Sequence, residues 1–236
     1  MKICYLSNSA IGSYYASSIQ IVKMCEAFAK LGNEVVLISR KAVNKRIKKE
    51  NIFNYYDVKF KFTIKILENF KSFPLGIKYY LFSILSIFES FKYKPDIYIT
   101  RNFFTCFLLI IFRKKTIIEL HHDLNTESRV VRFLVKYSKF LNSKYLKKAV
   151  AITNGVKEEY IRKNYLNKKK VIVLPSGSSL KRINHFSCKK KYFKIGYFGS
   201  LYKSRGLDLI IKLKKIDREN EYFLYGNLQN LNNLKF

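Results

Sequence analysis

Acidic residues are scarce in this 236-residue chain: 16 Asp and Glu stand against 46 Lys and Arg, a formal charge of +30. Only 10 of the basic residues are Arg, and Lys, Asn, Ile, Phe and Tyr are abundant together, as codon bias in an AT-rich genome produces. Composition therefore accounts for much of the charge, and the remainder points to an anionic partner, acidic lipid or nucleic acid. Long hydrophobic runs are absent as well. The longest strictly uncharged apolar runs, Tyr79–Phe88 and Phe103–Phe112, have ten residues each, whereas a membrane span needs about 20. The opening residues MKICYLSNSA lack the apolar core of about 7–15 residues that marks a signal peptide. Four scattered cysteines, Cys4, Cys25, Cys106 and Cys188, fit neither a disulfide framework nor a zinc site and suggest a reducing compartment. These absences predict a cytoplasmic protein, soluble or peripheral on the inner face of the membrane. Hydrophobic residues make up 48% of the chain, enough to build a core and to exclude intrinsic disorder.

What is present is an alternation of short apolar runs with longer amphipathic ones. Lys2–Ser7, Glu34–Ser39, Asp96–Thr100, Lys115–Leu120, Ala149–Thr153 and Lys170–Leu174 read as strands, and Val58–Thr63 as a further one. Helices are predicted over Ala16–Leu31, from Pro74 to about Lys92, over Phe103–Phe112, Thr126–Lys148 and Gly155–Tyr165. Strands separated by helices predict an α/β fold with a doubly wound, mainly parallel sheet of six or seven strands, Rossmann-like. Residues 175–193, rich in Ser, Gly and Lys, read as a linker between a domain at 1–174 and a second Rossmann-like unit at 194–236. In that unit the pattern restarts with strand Lys194–Phe198, helix Arg205–Lys215 and strand Glu221–Tyr225. Two or three strands are too few for a complete doubly wound core, so the second domain is expected to be incomplete.

Candidate chemistry gathers where strands end, because ligands of open α/β sheets bind outside the carboxyl ends. His121 and His122 close one strand, Asp123 follows in the loop, and Glu119 shares a side with His121 through the two-residue period of a strand. Adjacent residues point to opposite faces and no second ligand cluster is evident, so no metal is expected. Gly12 follows the first strand, where a glycine permits close approach of a phosphate or sugar. Gly199 ends a later strand just before a helix start, and Ser200, Lys203 and Arg205 surround that anion-favouring position. The run Arg40–Lys49 holds six positive charges: Arg40, Lys41, Lys45, Arg46, Lys48 and Lys49. No nucleic-acid-binding motif of the usual kinds occurs.

The order and spacing of several segments resemble a known family. MKICYLSNSAIGSYYASSIQIVKMCEAFAKLGNEVVLIS resembles an opening strand, glycine loop and first helix. PDIYITRN and TIIELHHD resemble two later strand ends of an acceptor-side domain, and AVAITNGVKEEYI a further strand and capped helix. VIVLPSGSSL resembles the strand leading into an interdomain crossing, and KIGYFGSLYKSRGLDLII the first strand–loop–helix of a donor domain. Together they resemble the GT-B glycosyltransferases of the large retaining, nucleotide-sugar-dependent group called family 4.

The resemblance implies transfer of a sugar from a nucleotide sugar to a glycan or lipid-linked acceptor, without cofactor or metal. It places His121 in the interdomain cleft as the candidate catalytic residue, with Glu119, His122 and Asp123 beside the acceptor. It gives donor binding to Gly12, Gly199, Ser200, Lys203 and Arg205. One departure is Ser200, which stands where the family has a basic residue; Lys203 is the candidate substitute. Relatives acting on lipid-linked acceptors dock on anionic membranes through this domain, a role the Arg40–Lys49 run would fill. The family's two donor-domain glutamates, separated by seven residues, have no counterpart here. Glu26/Glu34 and Glu119/Glu127 have that spacing but lie in the first domain. The chain is therefore expected to stop inside the donor domain and to be inactive alone. The rival readings are a non-catalytic acceptor- or membrane-binding subunit whose donor half comes from a second chain, and, on charge alone, a nucleic-acid-binding protein.

Overall fold

Val, Ile, Leu and Tyr dominate the short runs, and β-branched and aromatic side chains fit a pleated surface buried on both sides. In the computed structural model, residues 1–13, 15–41, 52–67, 74–177, 193–199, 201 and 206–226 are described. They fall into two compact units, Met1–Ser178 and Ser179–Phe236.

The first unit contains β1 (Lys2–Ile11), α1 (Ala16–Lys30), β2 (Glu34–Lys41), α2 (Ile52–Tyr55), β3 (Thr63–Leu67), α3 (Leu75–Phe91), β4 (Ile97–Thr100), α4 (Phe103–Ile111), β5 (Thr116–Leu120), α5 (Arg129–Ser138), β6 (Leu146–Ala151), α6 (Asn154–Arg162) and β7 (Val171–Val173). Its seven strands form one sheet in the order β3-β2-β1-β4-β5-β6-β7, and every pairing is parallel. This is the doubly wound, Rossmann-like sheet expected from the alternation. Strand order reverses between β1 and β4, which opens a crevice at their carboxyl ends.

Along β1, alternate side chains enter different cores. Ile3 and Tyr5 pack with Ile21, Val22 and Cys25 of α1. Cys4 and Leu6 pack with Ile87 of α3 and Leu109 of α4. Helix α3 approaches through a stripe of small residues, Ser83, Ser86 and Ser90, all fully buried. Each hydroxyl is satisfied by a backbone carbonyl of its own helix, at 2.6–3.0 Å. Pro74 precedes α3, where its missing N–H costs nothing. Three thiols, Cys4, Cys25 and Cys106, are free and buried, and burial pushes each pKa up. No helix among the described residues is long and apolar enough to cross a membrane.

Two elements lie away from their expected places. The strand expected at Val58–Thr63 forms at Thr63–Leu67, paired with β2; Val58 and Phe62 instead pack against the α1 core from the preceding segment. The long helix expected over Thr126–Lys148 is three pieces. Helix α5 ends at Ser138, Lys139 takes a left-handed φ of 50°, and a 3-10 turn at Phe140–Asn142 follows. Burial of Phe140 and Leu141 turns the chain inward there, so β6 starts earlier than the expected Ala149.

The second unit holds β8 (Lys194–Phe198), α7 (Leu207–Ile216) and β9 (Glu221–Tyr225). β8 and β9 pair in parallel, and Phe198 stacks on Tyr225 with ring centroids 4.8 Å apart.

Helix α4 depends on one cap. Asn102 Oδ1 accepts the Thr105 N–H at 3.0 Å, and its Nδ2 donates to Ser83 Oγ at 3.2 Å. Replacing Asn102 with Ala leaves the buried Thr105 N–H without its cap and should cost about 2 kcal/mol. Urea unfolding of the first unit, with hydrogen exchange of the α4 amides, measures it; an unchanged midpoint contradicts the cap's importance.

Candidate active site

The ends of β4 and β5 meet Tyr5 of β1 near the crevice. Glu119 of β5 is 7% exposed. An isolated buried carboxylate is costly, and this one is held by three partners. Arg101, the first residue past β4, shares its Nε–H between Glu119 Oε2 at 2.9 Å and Tyr5 Oη at 3.1 Å. His121 Nε2 lies 3.1 Å from the same Oε2. Burial by itself would raise the Glu119 pKa. The hydrogen bond from His121, the Arg101 guanidinium and the Tyr5 hydroxyl outweigh burial and hold it below the ordinary value.

The carboxylate selects the tautomer of a neutral His121 ring. A carboxylate only accepts, so Nε2 of His121 carries the hydrogen and, in the neutral ring, Nδ1 keeps its lone pair. Glu119 and His121 do share a side of the strand, as the two-residue period requires. Their neighbours go elsewhere. His122 Nε2 pairs with Glu127 Oε1 at 2.8 Å, and this hydrogen bond raises its pKa. Asp123 Oδ1 accepts the Asn125 N–H at 3.1 Å, capping a 3-10 turn at Leu124–Thr126. The three consecutive polar side chains thus serve three separate partners. Among the described residues no group of three or more His, Cys, Asp or Glu side chains is placed to hold a metal ion.

Gly12 takes a left-handed φ of 94°, a conformation that favours glycine. Its N–H donates to Tyr56 Oη at 2.9 Å, and the Tyr56 hydroxyl donates onward to the Ser13 carbonyl at 2.6 Å. Ser13 and Ser18 hydroxyls both donate to the Ala10 carbonyl, at 2.7 and 3.0 Å. The loop after β1 is therefore fixed from two sides. Gly12 contributes its shape, since its own N–H is engaged.

Arg40 departs from the expectation of an open basic surface. It is half-buried, and its Nε donates to the Asn8 carbonyl at 2.8 Å; burial lowers its pKa. It braces the end of β1. Lys45, Arg46, Lys48 and Lys49 lie outside the described residues, as does the Lys41 side chain. Ser200, Lys203 and Arg205 lie outside them too. Gly199 closes β8 in the second unit, its N–H donating to the Tyr225 carbonyl at 2.9 Å.

Arg101, Tyr5 and Tyr56 were not among the sequence candidates. Arg101 carried the same signal as His121, a polar residue just past an apolar strand. Tyr56 carried none, because its partners are more than forty residues away.

No protein-family model matches the chain, and no curated protein matches it in sequence. Solved structures do match in fold. A glycosyltransferase from Rickettsia africae ESF-5 superposes with a TM-score of 0.62 at 16% identity, over 98% of this chain and 62% of that one. Anabaena HepE, solved in complex with UDP and glucose, gives 0.62 at 14% identity, over 95% and 60%. UDP-GlcNAc 2-epimerase from Neisseria meningitidis, bound to UDP-GlcNAc, gives 0.56 at 11%, over 97% and 66%. The chain spans less than two thirds of each. The fold is the Rossmann-like α/β architecture of GT-B glycosyltransferases, shared with these epimerases.

Replacing Arg101 with Met strands the buried Glu119 charge and should cost about 3–5 kcal/mol. Adding Glu119→Gln should recover part of that loss. Because the Glu119 pKa is depressed in the fold, its stabilisation is present above the ordinary value of 4.5. It is lost as pH falls through the folded value. The pH dependence of urea midpoints should therefore flatten on the acid side in Glu119→Gln; an unaltered acid slope contradicts the assignment.

Proposed function

We propose that this chain carries the acceptor-side half of a nucleotide-sugar-dependent glycosyltransferase, acting with retention on a glycan or lipid-linked acceptor. The observation that supports the reading best is the Glu119–His121 pair, held with Arg101 and Tyr5 near the crevice where strand order reverses. Such a pair can do one thing well. Glu119 fixes the ring of His121, and Nδ1 then receives or orients the proton of an acceptor hydroxyl. Arg101 Nη2 is buried without a hydrogen-bond partner among the described residues, and a ligand oxygen would satisfy it. Gly199, Ser200, Lys203 and Arg205 are assigned to the diphosphate that departs with the nucleotide, where backbone N–H groups and positive charge stabilise the developing anion. The donor's own phosphate assists deprotonation of the acceptor, and no metal takes part.

The fold is shared with UDP-GlcNAc 2-epimerases, so the test must separate the two chemistries. The chain is incubated with UDP-glucose or UDP-GlcNAc, with and without glycan and polyprenyl-phosphate acceptors, and products are identified by mass spectrometry and NMR. Alone, the chain is expected to show little or no transfer; residual donor hydrolysis should fall about a hundredfold or more in His121→Ala, with Arg101→Lys less affected. Formation of the 2-epimer would overturn the reading in favour of epimerisation. Acceptor binding, with donor turnover that appears only on adding a second chain and is unchanged in His121→Ala, would instead favour the non-catalytic subunit.

A further inference from the structure

Each of the two consecutive histidines meets its own carboxylate, His121 with Glu119 and His122 with Glu127. The first pair belongs to the crevice; the second has a different geometry. His122 and Glu127 stand at the two ends of the segment that joins β5 to α5, and their bond at 2.8 Å closes that segment into a ring. Inside the ring the chain is tightly turned. The Asp123 carbonyl accepts the Thr126 hydroxyl at 2.7 Å and the Thr126 N–H at 3.2 Å. The Asp123 carboxylate takes the Asn125 N–H and side-chain amide, and Leu124 is buried in the core. The ring is also held from outside. Tyr160 of α6 is fully buried, stacks on Phe103, and donates to the His122 carbonyl at 3.3 Å. Tyr80 Oη of α3 lies 2.9 Å from Ser128 Oγ, at the start of α5.

This ring bears on the crevice because His121 is the residue immediately before it. The pairing of β5 with β6 ends at Leu120, so the backbone of His121 is placed by the strand on one side and by the ring on the other. Most links that close the ring are hydroxyls and amides, which keep one charge at every accessible pH. His122 does not, since histidine changes charge near neutrality. The titratable groups around it are Glu127 and Asp123 of its own segment, Tyr160 and Lys163 of α6, and Tyr79 of α3. Lys163 Nζ is 3.9 Å from Asp123 Oδ1 and is also paired with Glu159. Burial, and then the Glu127 charge, push the Tyr79 and Tyr160 hydroxyls up, so both stay protonated. The Glu127 hydrogen bond, aided by the Glu127 and Asp123 charges, outweighs burial and raises the His122 pKa. The stabilisation is therefore complete below the ordinary value of 6.5. It is lost as pH rises through the folded value.

We propose that His122 and Glu127 are positioning residues for His121: a protonated His122 clasps Glu127, holds the 122–127 ring shut and keeps the His121 ring on Glu119, and the clasp slackens as the medium turns alkaline. A neutral His122 still donates to Glu127, but a hydrogen bond between charged partners is roughly twice as strong. With the Glu127 side chain only 16% exposed, water screens the pair incompletely. The inference rests on the role proposed for His121 in sugar transfer, while the clasp itself is read without any activity.

The chain has three histidines, His121, His122 and His185, so ring-15N labelling gives three spin systems, assigned with His185→Gln and His122→Gln. Two quantities are followed between about pH 5 and 9: the titration midpoint of His122, and the lifetime of the His121 Nε2 proton against exchange with water. His122→Gln keeps an uncharged donor to Glu127 and supplies the reference without a switch. At the acid end the His121 proton should exchange roughly five- to tenfold more slowly in wild type than in His122→Gln. That ratio should approach one as pH passes the His122 midpoint. Glu127→Gln keeps an acceptor without charge; the His122 midpoint should fall toward the ordinary value and the pH dependence of the ratio should vanish. Amide shifts of β2 and β3, at the far edge of the sheet, report that each variant is folded. Wild type alone gives a further test: protection of the Asn125, Thr126 and Glu127 amides, corrected for base catalysis, should fall above the His122 midpoint. A wild-type midpoint at or below 6.5, or one that Glu127→Gln leaves unchanged, would overturn the inference. So would equal His121 proton lifetimes in wild type and His122→Gln across the range, a ratio that grows with rising pH, or amide protection indifferent to the midpoint. None of these readouts needs turnover, so the clasp can fail with sugar transfer intact, and the reverse.

Discussion

A parallel sheet covered by helices on both faces has almost no place for polar side chains except its ends. Seven strands of this kind make up the first unit, and the consequence runs through the molecule. The central strand interiors are mostly Ile, Val, Leu, Tyr and Cys. The residues with chemistry, Arg101, Glu119, His121 and Gly12, appear within a residue or so of a strand's carboxyl end. Glu119 tests the limit of this rule, because it lies inside the last turn of the pleat. Its charge is tolerated only because Arg101 at the end of β4, Tyr5 of β1 and His121 at the end of its own strand reach it, and those partners are in place only when β1, β4 and β5 are in register. The carboxylate therefore ties correct strand order to correct site geometry.

The strand–helix alternation is legible in the sequence because buried parallel strands are short and uniformly apolar, while the crossovers are longer and periodic. The pairing of Glu119 with His121 is legible for an equally local reason, the two-residue period of a strand. What escapes is settled at longer range. Thr126–Lys148 looks like one amphipathic helix, since nothing in its pattern announces that Lys139 will adopt a left-handed conformation so that Phe140 and Leu141 can turn inward. Val58 and Phe62 alternate like a strand but serve as core plugs beside α1. Arg40 belongs by composition to a basic run and by geometry to the end of β1. Tyr56 is a clamp that only the folded chain brings to the glycine loop.

The large positive charge also divides once positions are known. Some basic groups are internal fittings: Arg40 braces Asn8, and Arg101 holds Glu119. Others are paired along helices, as Lys92 is with Glu89 and Arg162 with Glu159; exposed pairs of this sort contribute little to stability. The stripe of Arg129, Arg132 and Lys136 on α5 is different, because residues 128–157 hold no carboxylate and its neighbour is an exposed apolar ridge, Val130, Phe133 and Tyr137. A helix with three distinct sides, one for the core, one apolar and one basic, is under a constraint that codon bias alone does not impose.

The Tyr56 clamp on the loop after β1 bears on the thermodynamics of whatever binds there. A loop that must order itself around a ligand gives up conformational entropy at the moment of binding and weakens the affinity accordingly. Here the ordering is completed during folding, when Tyr56 closes on Gly12 and Ser13 from another part of the chain. A ligand entering the crevice at β1 meets a surface already in its final shape. Its association should resemble the filling of a rigid mould, with selectivity set by fit, and with little of the slow rearrangement expected of a flap.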